Sequence, residues 1–115
     1  MRTYLFATFI ILTTVARDCN CNHQNRLPAC IQQKIEDIKA QPKWNPPAEV
    51  HAYQYKGKTV FYFTSNCCDQ YNVVYDADCN YLCAPDGGYT GRGDGKCADF
   101  KAAAEHIRLV WKDPR

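Results

Sequence analysis

The feature that most constrains this chain is its eight cysteines in 115 residues. An even number of cysteines in a short chain is typical of a disulfide framework formed in an oxidising compartment. A domain of this size buries a modest core, and cross-links stabilise it by reducing the entropy of the unfolded chain. We therefore predict that the cysteines are paired. They are Cys19, Cys21, Cys30, Cys67, Cys68, Cys79, Cys83 and Cys97.

Metal ligation is the alternative use of these cysteines. Cys19, Cys21 and His23 lie close together in the sequence, and three residues separate Cys79 from Cys83. Neither cluster has the paired two-residue spacing of a zinc ribbon. Because an oxidising compartment favours disulfides, we expect no metal at the cysteines.

Cys67 and Cys68 are adjacent in the sequence. Neighbouring cysteines seldom bond each other, because the small ring that they close distorts the peptide bond between them. On a strand their side chains would point to opposite faces, so we expect two bridges to two different elements. One such pattern joins the pair to Cys30 and to Cys83 or Cys97, and a redox-active vicinal pair is the alternative.

The N-terminal residues indicate export. One positive charge precedes an uncharged apolar run of 12 residues, Tyr4–Val15, which ends in small residues suited to signal peptidase. We predict a signal peptide over residues 1–16, cleaved after Ala16, and a secreted, extracellular protein. The run is shorter than the ~20 residues that span a bilayer, so no membrane span is expected after cleavage. Asp18 immediately before Cys19 disfavours a bacterial lipid anchor.

The rest of the chain has the size of one domain. We predict a cysteine-bearing arm over residues 17–26 and a single domain over residues 27–115, and we expect a monomer. The formal net charge of the whole chain is +2, and its basic residues are spread along the sequence. This pattern lacks the clustered basic face that nucleic acid or an anionic membrane would need, and no cofactor is predicted.

Hydrophobic periodicity predicts a disulfide-stabilised α+β fold, in which a small antiparallel sheet of about four strands is flanked by an N-terminal and a C-terminal helix. Ala84–Gly88 is expected to break the sheet, and Asp99 to cap the second helix. Trp44, in a proline-rich connector, is expected to pack on the core rather than to form a ligand platform. The predicted elements are a helix at Leu27–Ala40, strands at Val50–Tyr55, Thr59–Thr64, Tyr71–Tyr75 and Asn80–Cys83, a tight turn at Tyr55–Lys58, and a helix at Ala98–Trp111.

Arg92-Gly93-Asp94 is the one short motif with a named chemistry. In adhesion ligands, the guanidinium of this tripeptide meets an acidic pocket and the aspartate completes the coordination of a receptor-bound cation. The tripeptide lies in a glycine-rich loop between Cys83 and Cys97. The alternative is that Arg92 and Asp94 satisfy backbone groups within the loop.

Three aspartates in or beside this loop, Asp86, Asp94 and Asp99, are weak candidates for a cation site. The spacing from Asp86 does not match an EF-hand, which would need a glutamate where Cys97 stands. Only an irregular site is compatible with the sequence, and no metal is predicted.

The sequence contains no recognisable catalytic motif. His23, His51 and His106 are predicted to lie on the arm, on a strand and on a helix, and no serine or cysteine motif lies beside them. Paired cysteines leave no thiol nucleophile. We therefore predict that the protein is not an enzyme, and a small hydrolase with a carboxylate site is the least favoured alternative.

Three motifs together resemble a known family. They are Trp44-Asn45-Pro46-Pro47, Cys67-Cys68-Asp69-Gln70-Tyr71-Asn72, and Cys83-Ala84-Pro85-Asp86-Gly87-Gly88 followed by Thr90-Gly91-Arg92-Gly93-Asp94-Gly95-Lys96-Cys97. The family consists of small exported domains of unknown function, found largely in bacterial secreted proteins and lipoproteins. The resemblance covers about residues 27–100 and implies a single disulfide-bearing domain, without supplying an activity. It also implies that Cys79 and the arm with Cys19 and Cys21 are additions, and that the loop is structural, because such organisms lack integrins.

Export, paired cysteines and a polar loop without catalytic groups favour a non-enzymatic domain that binds an extracellular protein or receptor. We expect the loop over residues 86–96 to be the contact surface, with Arg92, Gly93, Asp94 and Tyr89 as binding residues. The alternatives are cell adhesion as an integrin ligand through the tripeptide, and inhibition of an extracellular enzyme by the loop.

Overall fold

The computed structural model describes residues 26–115, which form a five-stranded antiparallel sheet and two short helices. The strands lie side by side in the order β4-β3-β2-β1-β5, so β4 and β5 are the edges. The predicted signal peptide and most of the predicted arm, with Cys19, Cys21 and His23, lie outside the described residues. The elements are α1 (Ala29–Lys39), β1 (Glu49–Tyr55), β2 (Lys58–Phe63), β3 (Tyr71–Tyr75), β4 (Tyr81–Gly87), α2 (Phe100–Ala103) and β5 (Glu105–Lys112).

The first helix follows from its isoleucine spacing. Ile31, Ile35 and Ile38 recur at helical intervals, and all three are buried. Pro28 immediately precedes α1, where its fixed φ suits a helix start and its missing N–H costs no hydrogen bond. The predicted helix is therefore confirmed, with an end at Lys39.

The first two strands are joined by the predicted tight turn. Tyr55 pairs with Lys58, so the loop has two residues, Lys56 and Gly57. Both have a positive φ, 49° and 77° respectively, which matches the twist of the flanking strands. The hairpin is confirmed.

Both faces of the sheet carry buried side chains, because successive residues of a strand point to opposite sides. Isoleucines of α1 cover one face, and the segment that follows β4 covers part of the other. The core on the helix side contains Ile31, Ile35, Ile38, Ala48, Val50, Ala52, Phe61 and Phe63. The core on the opposite side contains Tyr55, Val60, Val74, Cys83, Cys97 and Phe100.

The predicted C-terminal helix at Ala98–Trp111 is wrong. Only Phe100–Ala103 is helical, and the residues after it form β5, which pairs with β1 along its length. The alanines favour a helical turn, but pairing places Trp111 opposite Val50, where it packs against the core. The sheet accordingly has five strands rather than four, with α1 as its principal helix.

The prediction that Ala84–Gly88 breaks the sheet is also wrong, because β4 continues as far as Gly87. This strand contains Pro85, which cannot donate a backbone hydrogen bond. β4 lies at the edge of the sheet, where a proline is tolerated.

Three disulfides cross-link the described residues, and their pairing differs from the expected one. Cys30 in α1 bonds Cys79 in the β3–β4 turn, and Cys83 bonds Cys97. Cys67 and Cys68 bond each other. The expectation failed because it assumed a strand at this pair. Both residues instead have a left-handed φ, 54° and 61°, within a turn, so their side chains do not alternate across a sheet.

The end of β5 is anchored to the end of α1. The Asp113 backbone N–H donates to the Ala48 carbonyl at 2.9 Å. Arg115 donates to the carbonyl of Gln41 at 2.8 Å and to the buried Asp113 carboxylate at 2.6 Å. The Arg115 guanidinium lowers the pKa of Asp113 to about 2. Arg115 also donates to the carbonyl of Lys39, the last residue of α1, at 3.2 Å. These contacts of Asp113 and Arg115, which we call the clamp, therefore satisfy a carbonyl that has no partner inside α1.

We predict that Ile31→Ala lowers the free energy of unfolding by about 2–5 kcal/mol, because it leaves a cavity under α1. Ile31 is fully buried, whereas Ile107 on β5 is 50 % exposed. Ile107→Ala is the matched control and should change stability little. Denaturant unfolding measures both variants, and equal losses would contradict the assigned core.

We predict that the Asp113–Arg115 clamp stabilises the fold at neutral pH and fails in acid. The pKa of Asp113 is lowered from 3.8 to about 2 in the folded chain. Its contribution is therefore present above about pH 4 and is lost as the pH falls through 2. Thermal unfolding of the native chain and of Asp113→Asn should differ at pH 7, and the difference should narrow towards pH 2. A constant difference would contradict the clamp.

Candidate functional site

The glycine-rich loop that follows β4 folds back onto β4. After β4, the Gly93 N–H donates to the Gly87 carbonyl at 3.1 Å, and the Asp94 N–H donates to the Ala84 carbonyl at 3.0 Å. The Cys83–Cys97 disulfide closes the segment covalently. These contacts isolate a short loop tip, Gly88–Arg92, whose two ends are held at the edge of the sheet.

Two glycines make this path possible. Gly93 has a φ of +72°, and a side chain there would run into the Ala84 carbonyl. Gly88 has a φ of +73°, and a side chain there would run into the ring of Tyr71. Because only glycine combines a positive φ with such close approach, the loop tip packs directly on β4 and β3.

Within the tripeptide, the aspartate serves the loop itself. One carboxylate oxygen of Asp94 accepts a hydrogen bond from the Tyr81 hydroxyl, and the other accepts from the Lys96 N–H at 3.0 Å. Burial opposes ionisation of Asp94, but these hydrogen bonds outweigh it and lower its pKa. The hydrogen bond that the Tyr81 hydroxyl donates to Asp94 raises the pKa of Tyr81 to about 12. The Asp94 carboxylate thus has both oxygens engaged within the chain.

Arg92 and Tyr89 have the opposite character. Both side chains are exposed, and Tyr89 is 91 % exposed. The guanidinium of Arg92 makes no hydrogen bond or ion pair with another residue between 26 and 115. The two charged residues of the tripeptide therefore differ: Asp94 is half-buried and supports the loop, whereas Arg92 is an outward-facing cation.

A second exposed segment lies beside the loop tip. The turn Asn66–Gln70, which includes the vicinal disulfide, is exposed throughout. The Gly88 N–H donates to the Gln70 carbonyl at 2.9 Å, which holds the turn and the tip together. Tyr71, which is 48 % exposed, follows the turn. We call the exposed side chains of this turn, together with Tyr71, Tyr89 and Arg92, the loop surface.

The three candidate cation ligands do not converge. Asp86 accepts hydrogen bonds from the Tyr62 hydroxyl at 2.9 Å and from the Asn72 amide at 2.7 Å. Asp99, which makes no side-chain capping bond to α2, accepts from the Tyr55 hydroxyl at 2.6 Å. Each aspartate is therefore bonded to a different tyrosine. Over residues 26–115, no group of three or more histidine, cysteine, aspartate or glutamate residues is placed to hold a metal ion.

Trp44 packs against the core on the helix side, as expected. Its indole N–H donates to the Gln41 side chain at 3.1 Å. It also lines an open cleft of about 280 Å³ between α1 and the sheet.

Sequence reasoning missed two groups of residues. It assigned no role to Tyr81, because its contact with Asp94 exists only after the loop folds back. It also placed His51 and His106 on unrelated elements, whereas their rings lie side by side on β1 and β5. The β-branched and aromatic residues of the run Ile107–Trp111 were the signal for a strand there.

These observations define a small disulfide-linked α+β domain that presents an ordered, exposed loop at the edge of an antiparallel sheet. The chain belongs to the family described as "Domain of unknown function (DUF6970)", whose model matches residues 36–113. It matches no curated protein and no solved structure. The expected relationship to a family of unknown function is therefore confirmed, whereas its bacterial and exported character stays a prediction. Among residues 26–115, no helix is long and apolar enough to cross a membrane.

We predict that Gly93→Ala destabilises the loop more than Gly95→Ala does. Both glycines have a positive φ, so each substitution costs about 1–2 kcal/mol for the left-handed backbone. A side chain at Gly93 also meets the Ala84 carbonyl, whereas one at Gly95 meets no atom within 4 Å. Denaturant unfolding should give the larger loss for Gly93→Ala. Equal losses would show that the close approach to β4 is absent in solution.

Proposed function

We propose that the protein is a secreted, non-enzymatic domain that binds an extracellular protein through the loop surface. The observation that carries the proposal is that Tyr89 is almost fully exposed on a loop tip held at both ends by backbone hydrogen bonds. An ordered loop loses little conformational entropy on binding. Tyrosine and arginine are also the residues enriched at the centres of protein interfaces.

The chemistry of the loop surface favours a protein partner. It combines the aromatic rings of Tyr89 and Tyr71 with the positive charge of Arg92, next to the exposed disulfide turn. An acidic or aromatic side chain of a partner can pair with the guanidinium, and the rings offer apolar area. The three disulfides are compatible with an extracellular location. An inhibitor that inserts this loop into an extracellular enzyme is one form of the proposal.

Adhesion through the tripeptide is the second candidate, favoured by the exposure of Arg92 on the loop tip. An integrin-type contact would require the Asp94 carboxylate to coordinate the receptor-bound cation. Asp94 would then have to exchange its hydrogen bonds from Tyr81 and Lys96 for that cation. Binding through the outward-facing side chains alone needs no such rearrangement, so we favour it.

We predict that Tyr89→Ala and Arg92→Ala each weaken binding about tenfold or more without lowering the unfolding temperature. The oxidised protein is used to screen a panel of purified extracellular domains and hydrolases, and the affinity of any hit is measured for each variant. Ile107→Ala, an exposed position on β5, is the control. Affinity that is unchanged in both loop variants would contradict the loop surface as the binding site.

The same proteins separate adhesion from the favoured proposal. Asp94→Asn keeps an acceptor oxygen for the loop but removes the charge that cation coordination needs. If integrin-bearing cells attach to the native chain and not to Asp94→Asn, adhesion becomes the function. Equal attachment to both, or attachment to neither, would rule the tripeptide out as an adhesion motif.

A further inference from the structure

A pair of histidines lies on the sheet face opposite α1. The two histidines are on β1 and β5, at the end of the sheet opposite β4 and the loop that follows it. His51 is on β1 and His106 is on β5. The distance between His51 Nδ1 and His106 Nε2 is 3.1 Å, and the ring centroids are 5.3 Å apart. The two rings are hydrogen-bonded to each other, so one nitrogen of each histidine faces the other.

A β-bulge creates this pair. Ala52 pairs with Arg108, but Tyr53 pairs with His106, so Ile107 is an extra residue in β5. Without it, regular pairing would place His106 opposite Gln54, on the face that α1 covers. The bulge turns His106 to the same face as His51 instead. Such bulges commonly re-aim a side chain near a functional site.

A carboxylate orients the first histidine. His51 Nε2 lies 2.9 Å from an oxygen of Glu49, and Lys112 lies 3.0 Å from the other oxygen. A carboxylate that is paired with the Lys112 ammonium can only accept a hydrogen bond. His51 Nε2 therefore carries the proton, and the lone pair of a neutral ring is on Nδ1, which faces His106.

This arrangement matches the surroundings of a metal-bound histidine, which almost always donates its other N–H to a carboxylate or carbonyl. Nitrogens bound at 2.0–2.1 Å to one tetrahedral ion are about 3.3 Å apart. In a square-planar site they are about 2.9 Å apart. The observed 3.1 Å lies between these values. Tyr53 packs against the His106 ring, with 5.1 Å between centroids, and helps to orient it.

We propose that His51 and His106 bind a divalent transition-metal ion of the Zn²⁺ or Cu²⁺ type, with Glu49 as the carboxylate that orients His51. Imidazole suits both ions. Because the described residues supply two ligands, water completes the coordination. On binding, the proton on His106 Nε2 leaves that nitrogen for solvent or for Nδ1 of the same ring, and the ion links β1 to the edge strand.

Calorimetric titration of the full-length oxidised protein, without a histidine tag, with ZnCl₂ tests the site. One saturable site is expected. His51→Gln and His106→Gln should each weaken it about 100-fold or more, and Glu49→Gln, which keeps both histidines, should weaken it about ten- to a hundredfold. Arg108→Gln, exposed on the opposite face of β5, is the matched control and should bind as the native chain does.

Cu²⁺ provides a second readout that does not depend on affinity. The electron paramagnetic resonance spectrum of the native protein should show two imidazole nitrogens bound to copper, and each single histidine variant should show one. Circular dichroism without metal checks that the variants fold. Undiminished Zn²⁺ binding by the His51→Gln/His106→Gln double variant, or no saturable binding up to about 1 mM Zn²⁺, would overturn the proposal. An unchanged affinity in Glu49→Gln would overturn the role of the carboxylate.

Discussion

The pairing of β1 with β5 is the interaction on which the rest of the structure depends. It makes β1 an internal strand and places Trp111 beside Val50 at the core. It also brings the residues after β5 close to α1. The Asp113 N–H donates to the Ala48 carbonyl just before β1, and Arg115 donates to the carbonyl of Lys39, the last residue of α1. One of the two bulges in this pairing, at Ile107, places His106 beside His51. The core, the clamp and the candidate metal site therefore all depend on the pairing of β1 with β5.

The same pairing explains how much of the fold could be predicted. The isoleucine spacing of α1 and the Lys56-Gly57 turn are local signals, so the helix and the first hairpin were predicted correctly. β5 is formed by a partner more than fifty residues away in sequence, and the alanines before it favour helix locally. A tertiary contact overrode that propensity. The histidine pair was missed for the same reason, because it exists only when β5 is a strand.

The candidate loop shows the same division between local and non-local information. Its location and the exposed positions of Tyr89 and Arg92 follow from glycine content and from the flanking cysteines. The role of Asp94 does not, because Tyr81 contacts it across a folded-back loop. The pairing of Cys67 with Cys68 was mispredicted because a strand was assumed where both residues adopt a left-handed turn. The tripeptide reads the same in an adhesion motif and in a structural loop, and the hydrogen bonds that Asp94 accepts within the chain support the structural role.

The two proposed sites use opposite edges of one sheet. The loop surface depends on β4 and β3, whereas the histidine pair depends on β1 and β5. They have no residue in common, so substitutions in one site are expected to leave the other unchanged, as independent sites generally behave. Two contacts nevertheless connect the sites. Phe100 packs on Tyr53 and Tyr55 and follows the disulfide that closes the loop. The ring of Tyr62 contacts His51, and its hydroxyl donates a hydrogen bond to Asp86 on β4. Coupling between partner binding and metal binding would pass through Phe100 or through Tyr62.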